Sequence, residues 1–358
     1  MLIFDKKQNM TLTENRMYRA LMERDSSFEG IFYIAVKTTG IFCRPTCTAR
    51  KPKRENVEFF NSCRDAIVHG YRPCKICSPL EQLAETPDYI KKLISEINEN
   101  PSVKIKDYHL RSRGYEPNTI RRWFKKNHNM TFHSYQRMMR LNSAFNKIQS
   151  GDNVTGAAFD SGFDSLSGFN SSFKSVVGGP PSKNKNKQII NITRIETPLG
   201  PMYAGATDKG ICLFDFTDRR MLETEFKELK HQLNAVILPG ENKYIKQLKQ
   251  EIGEYFEGKR KNFSVSFDAP GTEFQRKVWD KLKQIPYGKT ISYKTQSKRL
   301  NKPEAVRAVA NANGHNRISI IIPCHRVVGE DGSLTGYGGG LWRKKWLLDF
   351  EKKNLTTK

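Results

Sequence analysis

Two sets of thiols in this 358-residue chain have neighbours that suit them to chemistry. The first is Cys324, followed directly by His325 in the run Ile322-Pro323-Cys324-His325-Arg326-Val327-Val328. A thiolate is the nucleophilic form of cysteine, and an adjacent imidazole can take the proton directly or through water. Taken alone, a cysteine ending an apolar run reads as a small buried hydrophobe. The second set is Cys43-Arg44-Pro45-Thr46-Cys47 together with Cys74-Lys75-Ile76-Cys77. Two close pairs at this separation have the spacing of tetrahedral zinc, so one zinc ion on Cys43, Cys47, Cys74 and Cys77 is the expected cofactor. A disulfide framework competes, but no export signal is read ahead of it and the seven cysteines are an odd number. A purely structural zinc knuckle stays open on spacing alone.

Around Cys324 the order of motifs is specific. Gly271-Thr272-Glu273-Phe274-Gln275-Arg276-Lys277-Val278-Trp279 and Ile285-Pro286-Tyr287-Gly288-Lys289-Thr290-Ile291-Ser292-Tyr293 precede a helix-like segment over Glu304–Ala312. Asn313-Gly314-His315-Asn316 then reads as a turn, and Ile318–Ile322 as a β-branched strand carrying Cys324 at its end. With Trp346-Leu347-Leu348 and Glu351 downstream, the stretch closely resembles the active-site domain of the O6-alkylguanine-DNA alkyltransferases. The resemblance implies Cys324 as methyl acceptor, His325 steadied by Glu351 as its base, and Tyr293 as the hydroxyl donor to the departing guanine. It implies O6-methylguanine and O4-methylthymine as substrates. It also implies Arg307 as the side chain that fills the stack left by an extruded base, with small residues around it for close approach to the minor groove. Asn316 matches the hinge asparagine; a plain turn former is an equal reading from spacing. Two departures stand out: Gln296 and Ser297, where an apolar residue and Ala are usual and looser packing is expected, and Gly338, where some members have Ser.

The cysteine quartet sits in a second resemblance. Thr38-Thr39-Gly40-Ile41-Phe42 before Cys43, Arg54-Glu55-Asn56-Val57, and Gly70-Tyr71-Arg72-Pro73 before Cys74 look like the amino-terminal domain of the Ada proteins. That implies Cys43 as acceptor of a methyl group from a methylated backbone phosphate. Arg44, Arg72 and Lys75 are candidate phosphate neighbours, or ordinary solvated charge. Four thiolates on Zn²⁺ carry a formal charge of about −2, and methylation of one reduces it to about −1. The expected consequence is a damage signal in which methylated Cys43 relieves repulsion from DNA and activates transcription of alkylation-response genes.

What must position and use these residues is legible in the periodicity between them. Ile90, Leu93, Ile94 and Ile97 form one helical stripe, and Leu141, Ala144, Phe145 and Ile148 another. Two helix-turn-helix patterns turn at Gly114 and Gly162. The second, Ala157–Ser165 with Phe169, Phe173 and Gly179-Pro180-Pro181, resembles the AraC-type DNA-binding domain; the first departs from it at His109 and Leu110. A helical bundle without DNA contact competes for either pattern alone. The residues expected in the major groove are Asn118, Thr119, Arg121 and Arg122 in the first, and Ser167, Gly168, Asn170 and Ser171 in the second. Strands are expected over Ile189–Ile195, Met202–Ala206 and Ile211–Phe216, and helices over Arg220–Leu233 and Tyr244–Phe256.

A formal net charge of +24 suits a polyanionic partner, and no apolar run is long enough for a membrane span. The expected fold class is multidomain α+β. It comprises a small zinc-binding α/β domain over 1–80, an all-α AraC-type double helix-turn-helix domain over 81–181, an α/β accessory subdomain over 188–268, and a helical, winged-helix-like methyltransferase domain over 269–358. A polar connector is read over Ser182–Lys187. Alkylated double-stranded DNA, promoter DNA and RNA polymerase are the expected partners, in reducing cytoplasm. Two rivals share parts of this pattern. One is a zinc-dependent transcription regulator whose carboxyl-terminal half binds damage without repairing it; the other is a sensor of oxidation or zinc level.

Overall fold

The computed structural model describes residues 13–25, 28, 31–61, 63–77, 79 and 86–356. It divides into two compact units, one holding the described parts of Met1–Ala84, Asp218–Arg220 and Gly271–Lys358, the other Glu85–Thr217 and Met221–Pro270. The expected boundary at residues 80 and 81 lies outside the described residues.

At the amino-terminal end, α1 (Glu14–Glu23) precedes β1 (Tyr33–Val36), β2 (Ile41–Cys43), β3 (Val57–Phe60), α2 (Cys63–Val68) and β4 (Arg72–Pro73). The strands form one sheet in the order β3-β1-β2-β4. Gly40, at φ 64°, reverses the chain between β1 and β2, where a side chain would be strained. β2 then pairs in parallel with β4, Phe42 opposite Pro73. That register brings Cys43, the last residue of β2, alongside Cys74, the first after β4. Burial of Leu21, Phe28, Phe32, Ile34 and Val57 in one apolar cluster supports the sheet from behind.

The second unit begins with α3 (Asp88–Glu99), α4 (Asp107–Ser112), α5 (Pro117–His128), α6 (Phe132–Gln149), α7 (Val154–Asp160), α8 (Leu166–Val177) and α9 (Pro181–Asn184). Both expected helix-turn-helix turns are present, with Gly114 at φ 75° and Gly162 at φ 86°. Their second helices start on caps written in the sequence: Glu116 accepts from Asn118 N ahead of Pro117, and Ser165 accepts from Gly168 N. The helices are followed by β5 (Gln188–Ile195), β6 (Met202–Ala206), β7 (Ile211–Phe216), α10 (Leu222–Gln232), β8 (Ala235–Pro239) and α11 (Lys243–Phe256). The sheet order is β7-β6-β5-β8, antiparallel except for the parallel pair β5 and β8. The polar stretch 182–187 is held rather than loose. Part of it is α9, Lys187 Nζ donates to Val177 O at 2.9 Å, and Gln149 Nε2 donates to the carbonyls of Lys185 and Lys187 at 2.9 and 2.7 Å. Leu141, Phe145, Phe169 and Phe173 share a single buried cluster with Ile189, Val236 and Leu238.

The carboxyl-terminal part contains α12 (Glu273–Lys283), β9 (Ile291–Ser292), α13 (Tyr293–Arg299), α14 (Val306–Gly314), β10 (Val327–Val328) and α15 (Leu341–Thr356). Two sequence expectations change here. Ile318–Ile322 is not a strand but a buried turn, with Ile320 at φ 72° and Ile322 N bonded to Ile318 O at 3.0 Å. The cause is Asn316, whose Oδ1 accepts from Ile318 N and whose Nδ2 donates to Ile322 O, diverting backbone groups that a ladder needs. The β-branched run reported burial, not extension: Ile318, Ile320, Ile321 and Ile322 are all buried. Nor do Gln296 and Ser297 loosen the packing. Gln296 Nε2 donates to Asn313 Oδ1 at 3.2 Å, Asn313 Nδ2 donates back to Gln296 Oε1 at 2.7 Å, and Ser297 Oγ donates to Lys294 O and Pro303 O. A buried amide pair that satisfies itself can stand in for an apolar contact between α13 and α14.

Candidate functional site

Cys324 opens a single 3₁₀ turn, Cys324–Arg326, directly before β10, and is 8% exposed. Its sulfur receives the side-chain amide of Asn316 at 3.2 Å, a donor that favours the thiolate over the thiol. His325 is fully buried, and its Nε2 lies 2.9 Å from Glu351 Oε1 on α15. A carboxylate can only accept, so Nε2 carries the proton and Nδ1 of the neutral ring keeps its lone pair. Nδ1 is buried and has no hydrogen-bond partner among the described residues. Burial holds the imidazole below its ordinary pKa against the opposing pull of Glu351, so the ring is neutral and able to accept a proton.

Glu351 is the hub of this end of the domain. Besides His325 it takes Arg326 Nε and Nη2, each at 2.9 Å, and the backbone N–H of Gly288 at 2.9 Å. Burial alone would raise its carboxyl; the bonds to His325 and Arg326 outweigh that and hold it well below the usual carboxylate range. Tyr293, the first residue of α13, donates its hydroxyl to Thr335 O at 3.2 Å. Burial, with a smaller contribution from the Cys324 thiolate, pushes that hydroxyl above its ordinary pKa, so it stays protonated and remains a donor. Two bonded pairs, Asn316 on Cys324 and Glu351 on His325, are therefore joined through the Cys324–His325 peptide, and Tyr293 at the start of α13 bonds the Thr335 carbonyl. Arg307 stands outside these bonds, exposed on the outer face of α14 with Ala308 and Ala310. Small neighbours leave this helix face low, as close approach to a groove requires.

Three residues to which the sequence assigned no role complete the site. Arg326 also donates to Ile285 O at 2.7 Å, closing the floor beneath Glu351. Lys344 is fully buried and gives its ammonium protons to Val327 O at 2.5 Å, Thr335 O at 2.7 Å and Gly336 O at 3.3 Å. Burial pulls it down to about 8, against the raising effect of the Cys324 thiolate. Arg219 donates to Gly314 O and Asn316 O. The available signal was a basic pair, Arg343-Lys344, at the start of a helix whose apolar residues must pack inward.

The cysteine quartet is assembled as its spacing demands. The four sulfurs of Cys43, Cys47, Cys74 and Cys77 lie within 4.8 Å of one another, and Cys47 Sγ is 3.9 Å from Cys74 Sγ. Tetrahedral ligands at a Zn–S distance of about 2.3 Å stand about 3.8 Å apart, so the donor set fits one zinc ion. Backbone N–H groups of Arg44 and Ile76 point at Cys77 Sγ and Cys74 Sγ, each at 3.4 Å, as expected around thiolates. Among the sulfurs alone, a bond to Cys77 and burial push the Cys43 thiol far above its ordinary value, while the same bond pulls Cys77 down to about 6. Thiols packed this closely need a cation if all are to be deprotonated. Arg44 is half-buried beside the cluster, and Arg72 and Lys75 are exposed.

In the helical part, Asn118, Thr119 and Arg122 on α5 and Ser167, Gly168, Asn170 and Ser171 on α8 are exposed. Arg121 is less free: it pairs with Asp107 and bonds Asn118 Oδ1 at 2.9 Å.

Family models match almost the whole chain. Residues 16–80 match the metal binding domain of Ada and residues 111–187 a helix-turn-helix domain. Residues 190–269 match the ribonuclease-like domain of 6-O-methylguanine DNA methyltransferase, and residues 273–353 its DNA binding domain. The bifunctional transcriptional activator/DNA repair enzyme Ada of Escherichia coli is 31% identical over 97% of this chain and 99% of its own length. The regulatory protein ada of Salmonella typhimurium is 30% identical over 95% of this chain and 97% of its own. A methylated-DNA–protein-cysteine methyltransferase of Methanosarcina barkeri is 39% identical over 45% of this chain and 96% of its own. With two full-length relatives and matching models from the zinc cluster to α15, the chain belongs to the Ada family.

Proposed function

We propose that this protein is a single-turnover DNA repair methyltransferase and transcriptional activator. It moves methyl groups from O6-methylguanine and O4-methylthymine to Cys324 and from backbone methylphosphotriesters to Cys43. The observation that carries the first transfer is the donor on one side of the Cys324 sulfur, Asn316 Nδ2 at 3.2 Å, combined with a buried neutral His325 whose outer nitrogen is held by Glu351.

At Cys324, His325 Nδ1 takes the thiol proton, directly or through a water, and Glu351 stabilises the imidazolium that forms. The thiolate displaces the methyl carbon in line; a C–S bond forms as the C–O bond breaks, and the electron pair stays on the base. Tyr293 then exchanges its bond to Thr335 O for one to the departing guanine, stabilising its charge as a hydrogen-bond donor, and the base regains through water the proton that His325 took from the thiol. The target base must leave the duplex for this geometry, and Arg307, exposed on the low face of α14, is the side chain assigned to the gap. The thioether product has no route back, so each acceptor is used once.

At the cysteine quartet, bound zinc would keep the sulfurs deprotonated and so make Cys43 a nucleophile at neutral pH. Arg44 and Arg72 would approach the phosphotriester, while α5 and α8 read promoter sequence in the major groove. RNA polymerase is the partner that activation requires.

Incubation with duplex DNA carrying O6-methylguanine or a methylphosphotriester, followed by mass spectrometry, tests this. Cys324→Ser should abolish uptake from the guanine and leave labelling of Cys43 intact. Guanine repair at the wild-type level in that variant would overturn the assignment of the acceptor.

A further inference from the structure

The loop that follows β7 in sequence carries Asp218 and Arg219, which belong to the same compact unit as residues 271–358. The Asp218 carboxylate takes both terminal nitrogens of Arg343, at 2.8 and 3.0 Å, and Arg343 Nη1 also donates to Gly339 O at 2.9 Å. Arg219, only 7% exposed, reaches the end of α14: Nη2 donates to Gly314 O at 2.7 Å and Nη1 to Asn316 O at 3.2 Å. The last carbonyls of a helix lack partners within it, and a cation satisfies them best. Asn316 is also the residue whose side-chain amide rests on Cys324 Sγ.

Gly338 supplies an independent observation. A Cβ built there would meet Arg219 Nη1 at 2.2 Å and Cζ at 2.7 Å, with no other residue within 4 Å among the nearest atoms. Gly338 is not among the glycines with positive φ, so its backbone does not demand glycine. The guanidinium fills the space that a side chain at 338 would take, and it is tethered there by two carbonyls.

We propose that Arg219 is a positioning residue for methyl transfer, its guanidinium clamping the Asn316 backbone against the Gly338 loop so that the Asn316 amide stays on the Cys324 sulfur. This rests on Cys324 being the methyl acceptor. Without the clamp the amide wanders, the thiolate loses its donor and a smaller fraction of Cys324 is reactive at neutral pH. Titratable groups around Cys324 include Tyr293 on α13, His325 beside it and Lys344 on α15, with Glu351 and Tyr337 against the histidine and Arg326 on Glu351. The two carbonyls that Arg219 clamps belong to Gly314 and Asn316, not to these groups, so the groups serve as a constant background to the substitution.

The experiment uses the full chain and two probes of Cys324, both read by mass: methyl uptake from duplex O6-methylguanine and alkylation by iodoacetamide, each as a function of pH. Arg219→Ala should slow both about tenfold at neutral pH and move the pH inflection up by about one unit. Arg219→Lys should recover part of the loss. Gly338→Ala should slow the otherwise wild-type protein, by displacing the guanidinium, but add nothing in the Arg219→Ala background. A wild-type pH profile in Arg219→Ala, or equal slowing by Gly338→Ala in both backgrounds, overturns the proposal. If Arg219→Ala does not fold, an unmoved inflection in Gly338→Ala overturns it instead. Should the wild-type protein take no methyl at Cys324, the acceptor assignment fails, while the iodoacetamide profiles still decide the role of Arg219.

Discussion

The chemistry proposed for Cys324 rests on one carboxylate doing several electrostatic jobs at once. Glu351 is fully buried, bonds His325, Arg326 and Gly288 N, and is held ionised by the first two. Removing one partner of a buried ion pair leaves the other uncompensated, at a cost of about 3 to 5 kcal/mol. Glu351→Gln should therefore lower the thermal unfolding midpoint as well as the transfer rate. The pH dependence has a definite sign. The folded pKa is depressed, so the stabilisation is complete above the ordinary carboxylate pKa of about 4.3 and is lost as pH falls through the lower folded value. Acidification should lower the wild-type midpoint more steeply than that of Glu351→Gln; parallel slopes would show that Glu351 is not the group responsible. At this scale sequence was informative where function is packed into a short run, as in Pro323-Cys324-His325-Arg326, or into the paired cysteines. It was silent on Arg219 and offered only the basic pair Arg343-Lys344 for Lys344, because long cationic side chains inside a fold are recognised chiefly from the carbonyls they reach, and those carbonyls have no residue identity.

Between residues and the whole chain, α14 and the two helix-turn-helix turns carry the argument. Arg307 is exposed among alanines, so it is free to enter DNA and contributes little to the fold. Arg307→Ala should slow transfer strongly on duplex DNA and far less on the free O6-alkylguanine base, because only the duplex has to be unstacked. Equal slowing on both substrates would assign Arg307 a structural role. The turns differ from each other in a way that sequence hides. Gly114 and Gly162 both have positive φ, but a Cβ at Gly114 meets nothing within 4 Å, whereas one at Gly162 would lie 2.6 Å from Ser102 O. Gly114→Ala should cost about 1 kcal/mol from backbone strain alone. Gly162→Ala adds a clash with backbone that cannot swing aside, and denaturant unfolding should show about 2 kcal/mol or more. Helices and β5 to β7 were legible because their periodicity and caps are local. Ile318–Ile322 was misread because burial and β propensity use the same residues, and the deciding bonds come from a side chain, Asn316, outside the run. β8 was not anticipated, since its five residues show no alternation against solvent.

Across the whole molecule, a formal charge of +24 gives a broad attraction to DNA that carries no information about damage. Information has to enter as a difference, and the zinc cluster is where the methyl transfer proposed for Cys43 would change charge at a surface expected to face phosphate. With zinc bound, methylation of Cys43 takes the formal charge from about −2 to about −1. One charge about 8 Å from a phosphate is worth about 0.5 kcal/mol in water and about 2 kcal/mol at the effective dielectric of a protein surface. Methylated protein should therefore bind its promoter about two- to thirtyfold more tightly than unmethylated protein at low salt. Screening over about 8 to 10 Å at physiological ionic strength shortens the reach of this term, so the two affinities should converge as salt rises. Promoter titrations across a salt series, with Cys43 modification verified by mass, measure both the gap and its decay. A gap that persists undiminished at high salt would mean that methylation acts by reshaping the contact surface around β2 and β4. Equal affinities at low salt would leave Cys43 an acceptor with no regulatory output, and α5 and α8, proposed above to read promoter sequence, would then need a different signal to couple damage to transcription.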